Sequence, residues 1–98
     1  MTSREANLPV CFQLGELVAT PGALEALEHA GQSPLEFLDR HRKGDWGEVC
    51  PEDWALNDEA LKEGTRLLSA YRTVKDERLW IITEADRSCT TILLPEEY

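Results

Sequence analysis

The side chains of this sequence that are suited to chemistry match those that cleave RNA without a metal ion. Such cleavage needs a base for the 2'-hydroxyl group, a cation for the charge that develops on phosphorus, and a donor for the leaving oxygen. His41 can serve as the base and Arg87 as the cation. Hydroxyl donors are available in Tyr71, Thr90 and Thr91. These five residues define the catalytic set of a ribonuclease hypothesis.

The order of predicted elements, with helices before an antiparallel sheet, is similar in outline to small toxin ribonucleases of the barnase, RelE and colicin type. The charge opposes this hypothesis, because 19 Asp and Glu residues outnumber 10 Lys and Arg residues and give a net charge of −9. Such a surface repels a phosphate backbone. Glu36 and Asp39 also argue against a DNA-reading helix-turn-helix. We therefore expect no direct nucleic-acid binding.

The spacing of cysteines and histidines indicates neither a metal site nor a catalytic thiol. Zinc sites usually carry closely spaced ligand pairs, and this chain has none. A nucleophile built from Cys89 or Ser88 with His41 lacks the turn that would expose it. We expect no metal and no cofactor. The residues concerned are Cys11, His29, His41, Cys50 and Cys89.

An acidic segment with two tryptophans, residues 44–64, is a candidate interaction surface. It holds seven acids and one lysine in the sequence GDWGEVCPEDWALNDEALKEG. Tryptophan is enriched at binding hot spots, so Asp45, Trp46 and Trp54 are candidate contacts for a basic partner. The alternative is a solvated helix face whose tryptophans lie in the core.

A short charged link near the end of the chain, residues 84–88, joins two apolar runs. Glu84, Asp86 and Arg87 in this link are candidate binding residues. The alternative is a plain hairpin turn, in which acidic and hydroxyl side chains bond to the turn backbone.

Three short helices must position these residues. Their starts are marked by Pro21 after Thr20, by Ser33-Pro34 with Glu36 in a capping box, and by Pro51 with acids in the first turn. Their ends are marked by Gly31, Gly44 and Gly64. The second helix is expected to bury Leu35 and Leu38 with Phe37 on its flank. The third is expected to bury Trp54 and Leu61, with Leu56 and Ala60 widening that face.

Strand-like runs follow the helices at residues 66–72, 78–83 and 90–95. Their short links predict an antiparallel meander. An apolar stretch at residues 8–20 predicts one N-terminal strand or two short ones. The predicted fold class is α+β, with three short helices before a three-stranded antiparallel meander and an added N-terminal strand.

The length of 98 residues predicts a single domain over residues 1–98, with residues 1–7 as a flexible terminus. The odd cysteine count and the lack of a leader-like start predict a cytoplasmic protein with reduced thiols. No apolar run approaches the length of a membrane span. An exposed edge strand would allow either a monomer or a homodimer.

Three stretches carry a resemblance to a known family: ATPGALEAL, RHRKGDWGEVCPEDWALNDEAL and IITEADRSCTTILLPEEY. From about Leu14 to Tyr98 the chain resembles a small bacterial family labelled as plasmid-related proteins or as type I restriction endonuclease subunit M. The resemblance implies a bacterial cytosolic origin on mobile DNA, and it adds weight to His41, Asp45, Trp46 and Arg87. The chain has none of the S-adenosylmethionine motifs of a methyltransferase.

Taken together, the sequence favours a small acidic protein that acts by binding another macromolecule, as an inhibitor or accessory factor. The expected partner is a protein. The metal-independent ribonuclease is the alternative, and whether the chain is an enzyme stays open at this point.

Overall fold

The computed structural model describes residues 10–98, which form three α-helices, four β-strands and a short 3₁₀ turn. In chain order they are β1 (Glu16–Ala19), α1 (Pro21–Ala30), α2 (Pro34–Arg42), α3 (Pro51–Glu63), β2 (Leu67–Arg72), β3 (Arg78–Thr83), β4 (Cys89–Leu93) and the turn Pro95–Glu97. The predicted α+β class is confirmed. The expected flexible terminus, residues 1–7, lies outside the described residues.

The four strands form one mixed sheet in the order β1-β4-β3-β2. The pairs β2–β3 and β3–β4 are antiparallel, as short links between consecutive strands require. β1 instead runs parallel to β4, with Leu17 opposite Thr90. The sheet therefore differs from the predicted meander with an added strand, since it is mixed. The three helices between β1 and β2 supply the long connection that a parallel arrangement needs.

The helix boundaries follow local capping chemistry. The hydroxyl group of Thr20 accepts a hydrogen bond from the backbone of Ala23, and Gly31 ends α1 in a left-handed conformation. The Ser33 hydroxyl accepts from the Leu35 backbone at the start of α2. Gly64 ends α3 in the same left-handed way as Gly31. The proline and glycine signals of the sequence therefore locate the helices well.

Helices α1 and α2 cover one face of the sheet and form the larger core cluster with it. α2 buries Phe37, Leu38 and His41, whereas the side chain of Leu35 is 68% exposed. The expectation that Leu35 is buried was wrong. The reason is helical geometry, because residues two positions apart point about 200° away from each other, and Phe37 faces the core.

α3 packs beside a smaller core cluster made of Phe12, Trp46, Ala60 and Leu67. Leu56 was expected on the buried face of α3 but is 59% exposed. Its place is taken by Asn57, a polar residue that the hydrophobic pattern did not single out. The side-chain amide of Asn57 donates to the Leu68 carbonyl at 2.7 Å and accepts from the Leu68 N–H at 3.1 Å. Asn57 therefore binds α3 to the outer edge of β2.

Candidate functional site

His41, the proposed base, is completely buried at the end of α2. Its Nδ1 lies 2.5 Å from the Ser69 hydroxyl oxygen, and its Nε2 lies 2.9 Å from the Thr83 hydroxyl oxygen. Both ring nitrogens are therefore occupied by hydroxyl groups of the sheet. A base must reach the proton that it removes, and this ring has no exposed surface.

The hydrogen bonds of His41 continue into a buried polar chain. The Thr83 hydroxyl lies 2.7 Å from the Thr90 hydroxyl, which donates to the carbonyl of Leu14 at 2.7 Å. This polar chain links α2, β3 and β4 to the segment before β1. Its side chains are satisfied internally, as a buried polar network must be if it is to stabilise a fold.

Burial, together with the positive charge of Arg87, lowers the pKa of His41 to about 3. The imidazole is therefore neutral at pH 7. Phe12 contacts both residues: its ring centroid lies 5.1 Å from that of His41, and the Arg87 guanidinium carbon lies 5.7 Å from it. The fold thus brings the proposed base and cation into one region, but around an aromatic ring rather than an open cleft.

Arg87 acts as a cap for α3. Its guanidinium group donates to the carbonyls of Thr65 at 2.7 Å and Ala60 at 3.2 Å, and to the carbonyls of Glu84 and Ala85 in its own turn. A cation at this place satisfies carbonyls that a helix C-terminus leaves without partners. The charged link at residues 84–88 therefore attaches the β3–β4 hairpin to α3.

The remaining hydroxyls of the ribonuclease set are separated. The Tyr71 hydroxyl donates to the carbonyl of Asp45, and burial raises the pKa of Tyr71. Thr90 is buried in the polar chain described above. Thr91 lies on the other face of the sheet, because successive residues of a strand alternate between faces.

The proposed binding residues also have structural contacts. Trp46 is fully buried, and its indole N–H donates to Asp58 at 3.0 Å. Asp45 pairs with Arg40 and accepts from the Gly47 N–H. Trp54 is half-buried beside the smaller core cluster. Trp46 therefore supports the interior and offers no surface for a partner.

The acids of the charged link are exposed. Glu84 makes a backbone bond to Cys89 across the hairpin. The Asp86 carboxylate accepts from the Ser88 N–H and hydroxyl, which lowers the pKa of Asp86. These contacts are those of an ordinary turn.

The two edges of the sheet differ in a way that the sequence did not reveal. At the β2 edge, Ala70 donates to the Trp46 carbonyl at 3.1 Å and accepts from the Glu48 N–H at 2.6 Å. Asn57 satisfies the backbone of Leu68 on the same edge. The β2 edge is therefore closed by the chain itself at these two residues.

The β1 edge is open within residues 10–98. Backbone N–H groups at Glu16 and Thr20 donate inward to the β4 side. Because these groups alternate in direction along a strand, those of Leu17 and Ala19 point outward. No strand of the described chain pairs with them. An unpaired edge of this kind is a template for strand addition.

An apolar groove lies beside this open edge. One part, of about 260 Å³, lies between β1 and α2, and a second part, of about 500 Å³, continues along α2 and shares Leu35 and Leu38 with the first. The exposed fractions of Leu17, Val18 and Leu35 are 51%, 42% and 68%. Of these three, Leu35 was expected to be buried, and Leu17 and Val18 belong to the apolar stretch that was expected to form a strand. The open edge and this groove together are called the β1 site below.

Acidic groups surround the β1 site. Glu16 lies on the strand itself and Glu36 on the groove wall, and neither has an ion-pair partner within the described chain. Asp39 pairs with both Arg42 and Lys43, so this group carries one excess positive charge. The Glu97 carboxylate accepts from the Thr20 hydroxyl and from the Gly22 and Leu94 N–H groups. The carboxylates of Glu16, Glu36 and Glu97 outweigh that positive charge, so the net charge around the β1 site is negative.

Residues 10–98 contain no group of three His, Cys, Asp or Glu side chains placed to hold a metal ion. In the same part of the chain, every helix is too short or too polar to cross a membrane. Comparisons with protein-family models, with curated proteins and with solved structures yield no match to this chain.

Proposed function

We propose that this chain acts by binding another protein, which adds an extended segment to the β1 site. The observation that carries this proposal is the open β1 edge beside an apolar groove, in a molecule whose opposite edge is closed. Main-chain hydrogen bonds would supply affinity, and alternate side chains of the added segment would enter the groove.

The exposed apolar side chains support this choice of surface. Leu17 and Leu35 lie together in one groove, and Val18 is exposed on the same strand, whereas isolated exposed apolar residues on a protein surface need no functional explanation. Natural proteins usually protect an edge strand with lysine, proline or a covering loop. Over Glu16–Ala19, β1 has no lysine or proline, and its first three residues are exposed within residues 10–98; its one charged residue is Glu16.

The contacts of His41 and Arg87 favour binding over RNA cleavage as the function. The His41 ring is enclosed by Ser69 and Thr83, and the Arg87 guanidinium group is engaged by backbone carbonyls of α3. Both residues have a sufficient structural role. Binding is therefore the function we put forward, and an inhibitory or accessory role on mobile DNA is the form of it that the family resemblance suggests.

Leu17→Pro is the variant that tests the proposal. Proline removes the outward N–H of Leu17 and leaves the inward bonds of Glu16 and Thr20 in place, so the fold is expected to persist. A partner captured from nuclease-treated bacterial lysate by the wild-type chain should be lost with Leu17→Pro.

Two exposed leucines provide a matched control. Leu17→Asp places a charge in the apolar groove of the β1 site, and Leu56→Asp makes the same change on α3, where Leu56 is 59% exposed. The partner should be lost with Leu17→Asp and kept with Leu56→Asp, with thermal unfolding showing that each variant is folded. Equal capture by all variants would contradict the proposal.

A further inference from the structure

We infer that the segment accepted at the β1 site alternates apolar and basic side chains and belongs to another protein rather than to a second copy of this chain. This inference rests on the proposed function, because it names the partner chemistry of the same site. The evidence for this partner chemistry is the set of side chains beside β1 on each of the two faces of the sheet.

The two sides of an added strand would meet different surroundings. Successive side chains of the added strand point alternately to the two faces of the sheet. On the helix-covered face they meet the apolar groove formed by Leu17, Leu35 and Leu38. Every second residue of the partner segment should therefore be apolar.

On the open face, the intervening side chains meet the carboxylate of Glu16 at one end of β1 and the carboxylate of Glu97 at the other. Glu16 and Val18 alternate with Leu17 and so lie on this face, followed by Thr20, whose hydroxyl is bonded to Glu97. Opposite charges directly across a strand pair are favourable, and like charges are not. Lysine or arginine at the intervening positions satisfies this requirement. The net charge of −9 would also speed the approach of a basic segment.

A second copy fits this surface less well. In an antiparallel pair of two β1 strands with Leu17 opposite Leu17, the two Glu16 side chains become diagonal neighbours on one face. In the register with Val18 opposite Val18, Glu16 lies opposite Thr20 and close to the Glu97 carboxylate. Each register places like charges together, in addition to the repulsion between two strongly acidic chains.

The test uses fluorescent seven-residue peptides with blocked ends and the full-length chain. The first peptide alternates lysine and valine, the second replaces lysine with threonine, the third replaces lysine with glutamate, and the fourth holds lysine and valine in separate blocks. Binding is measured by anisotropy. We expect the lysine–valine peptide to bind at least about tenfold more tightly than the threonine and glutamate peptides, with affinity falling between about 50 mM and about 300 mM salt.

Three chain variants, one of them a control, connect that affinity to the β1 site. Glu16→Lys should weaken binding of the lysine–valine peptide at least about threefold and improve binding of the glutamate peptide. Glu63→Lys makes the same charge change at the exposed end of α3 and should leave both affinities within about twofold of wild type. Leu17→Pro should abolish binding of every alternating peptide.

The possible outcomes separate the inference from the proposed function. Equal binding of the three alternating peptides would overturn the basic-partner inference and leave strand addition at β1 in place. Equal effects of Glu16→Lys and Glu63→Lys would overturn it in the same way. A chain that sediments as a dimer, and becomes a monomer with Leu17→Pro, would show that the occupant is a second copy. If no peptide binds and Leu17→Pro loses no protein partner, both proposals fail.

Discussion

The buried histidine predicts a specific loss of stability in mild acid. The pKa of His41 is about 3 in the folded chain and about 6.5 when the chain is unfolded. Between these values the unfolded state binds a proton that the folded state does not. The stabilisation from neutral His41 is therefore complete above pH 6.5 and is lost progressively as the pH falls toward 3.

The magnitude follows from this difference in proton binding. Each pH unit below the unfolded pKa lowers the free energy of unfolding by about 1.4 kcal/mol per site. Between pH 7 and pH 5 the loss attributable to His41 is about 2 kcal/mol. The size of this stability loss depends mainly on the pKa of His41 in the unfolded chain, because its pKa in the folded chain lies well below pH 5. This loss is a substantial fraction of the stability of an ordinary small domain.

Urea unfolding at several pH values, followed by tryptophan fluorescence, measures this effect. Trp46 is fully buried and will report exposure to water. His41→Gln removes the titrating group, so the difference in unfolding free energy between pH 5 and pH 7 should fall by about 2 kcal/mol. His29→Gln removes an exposed histidine at the end of α1 and should retain most of the wild-type dependence.

Two results would refute this reasoning. The first is a pH dependence that His41→Gln leaves unchanged. The second comes from the wild-type chain alone and does not require the variant to fold: an NMR titration in which the His41 ring protonates with a midpoint above pH 5. Carboxylates with lowered pKa values, such as those of Asp39 and Asp86, are common to the wild type and both variants and cancel in the comparison.

Two further substitutions, Gly47→Ala and Arg87→Ala, test contacts that stabilise the fold, and Gly31→Ala is the control for the first. Gly47→Ala should reduce the free energy of unfolding by about 3 kcal/mol or more, because a Cβ atom there would lie 2.0 Å from the Ala70 carbonyl oxygen at a φ of +80°. Gly31→Ala, at a φ of +68° with nothing within 4 Å, should cost only about 1 to 2 kcal/mol, and equal costs in urea unfolding would contradict the steric argument. Arg87→Ala should cost about 1 to 3 kcal/mol through its bonds to α3 carbonyls, with hydrogen exchange increasing first at the end of α3; protection unchanged there would contradict the capping role.

The parts of the fold that follow from local rules could be predicted from the sequence. Pro21, Pro34 and Pro51 each occupy the first position of a helix, and the backbone requirements of that position are local. The consecutive strands β2, β3 and β4 pair through short links. The pairing of β1 with β4 brings together Leu17 and Thr90, far apart in the chain, and no local pattern indicates such a partner.

Residue chemistry alone did not indicate which polar side chains would be buried. His41 carries the same imidazole whether it faces a cleft or a core, and its burial depends on Ser69 and Thr83 from distant strands. Arg87 was noticed for its charge, but its capping role depends on the position of α3 relative to the hairpin. The β1 site was missed because Leu35 was expected to be buried and because the sequence does not show which strand would lie at the edge of the sheet.

The closure of the β2 edge determines how many molecules an assembly formed through this sheet would contain. Endless growth by edge-to-edge pairing needs two free edges on every unit, one to receive and one to extend. Asn57 and the Trp46–Glu48 backbone already occupy one edge of the described chain. If β1 accepts a strand as proposed, each molecule would take a single added strand, and the complex would stop at one partner for each copy instead of extending into a filament.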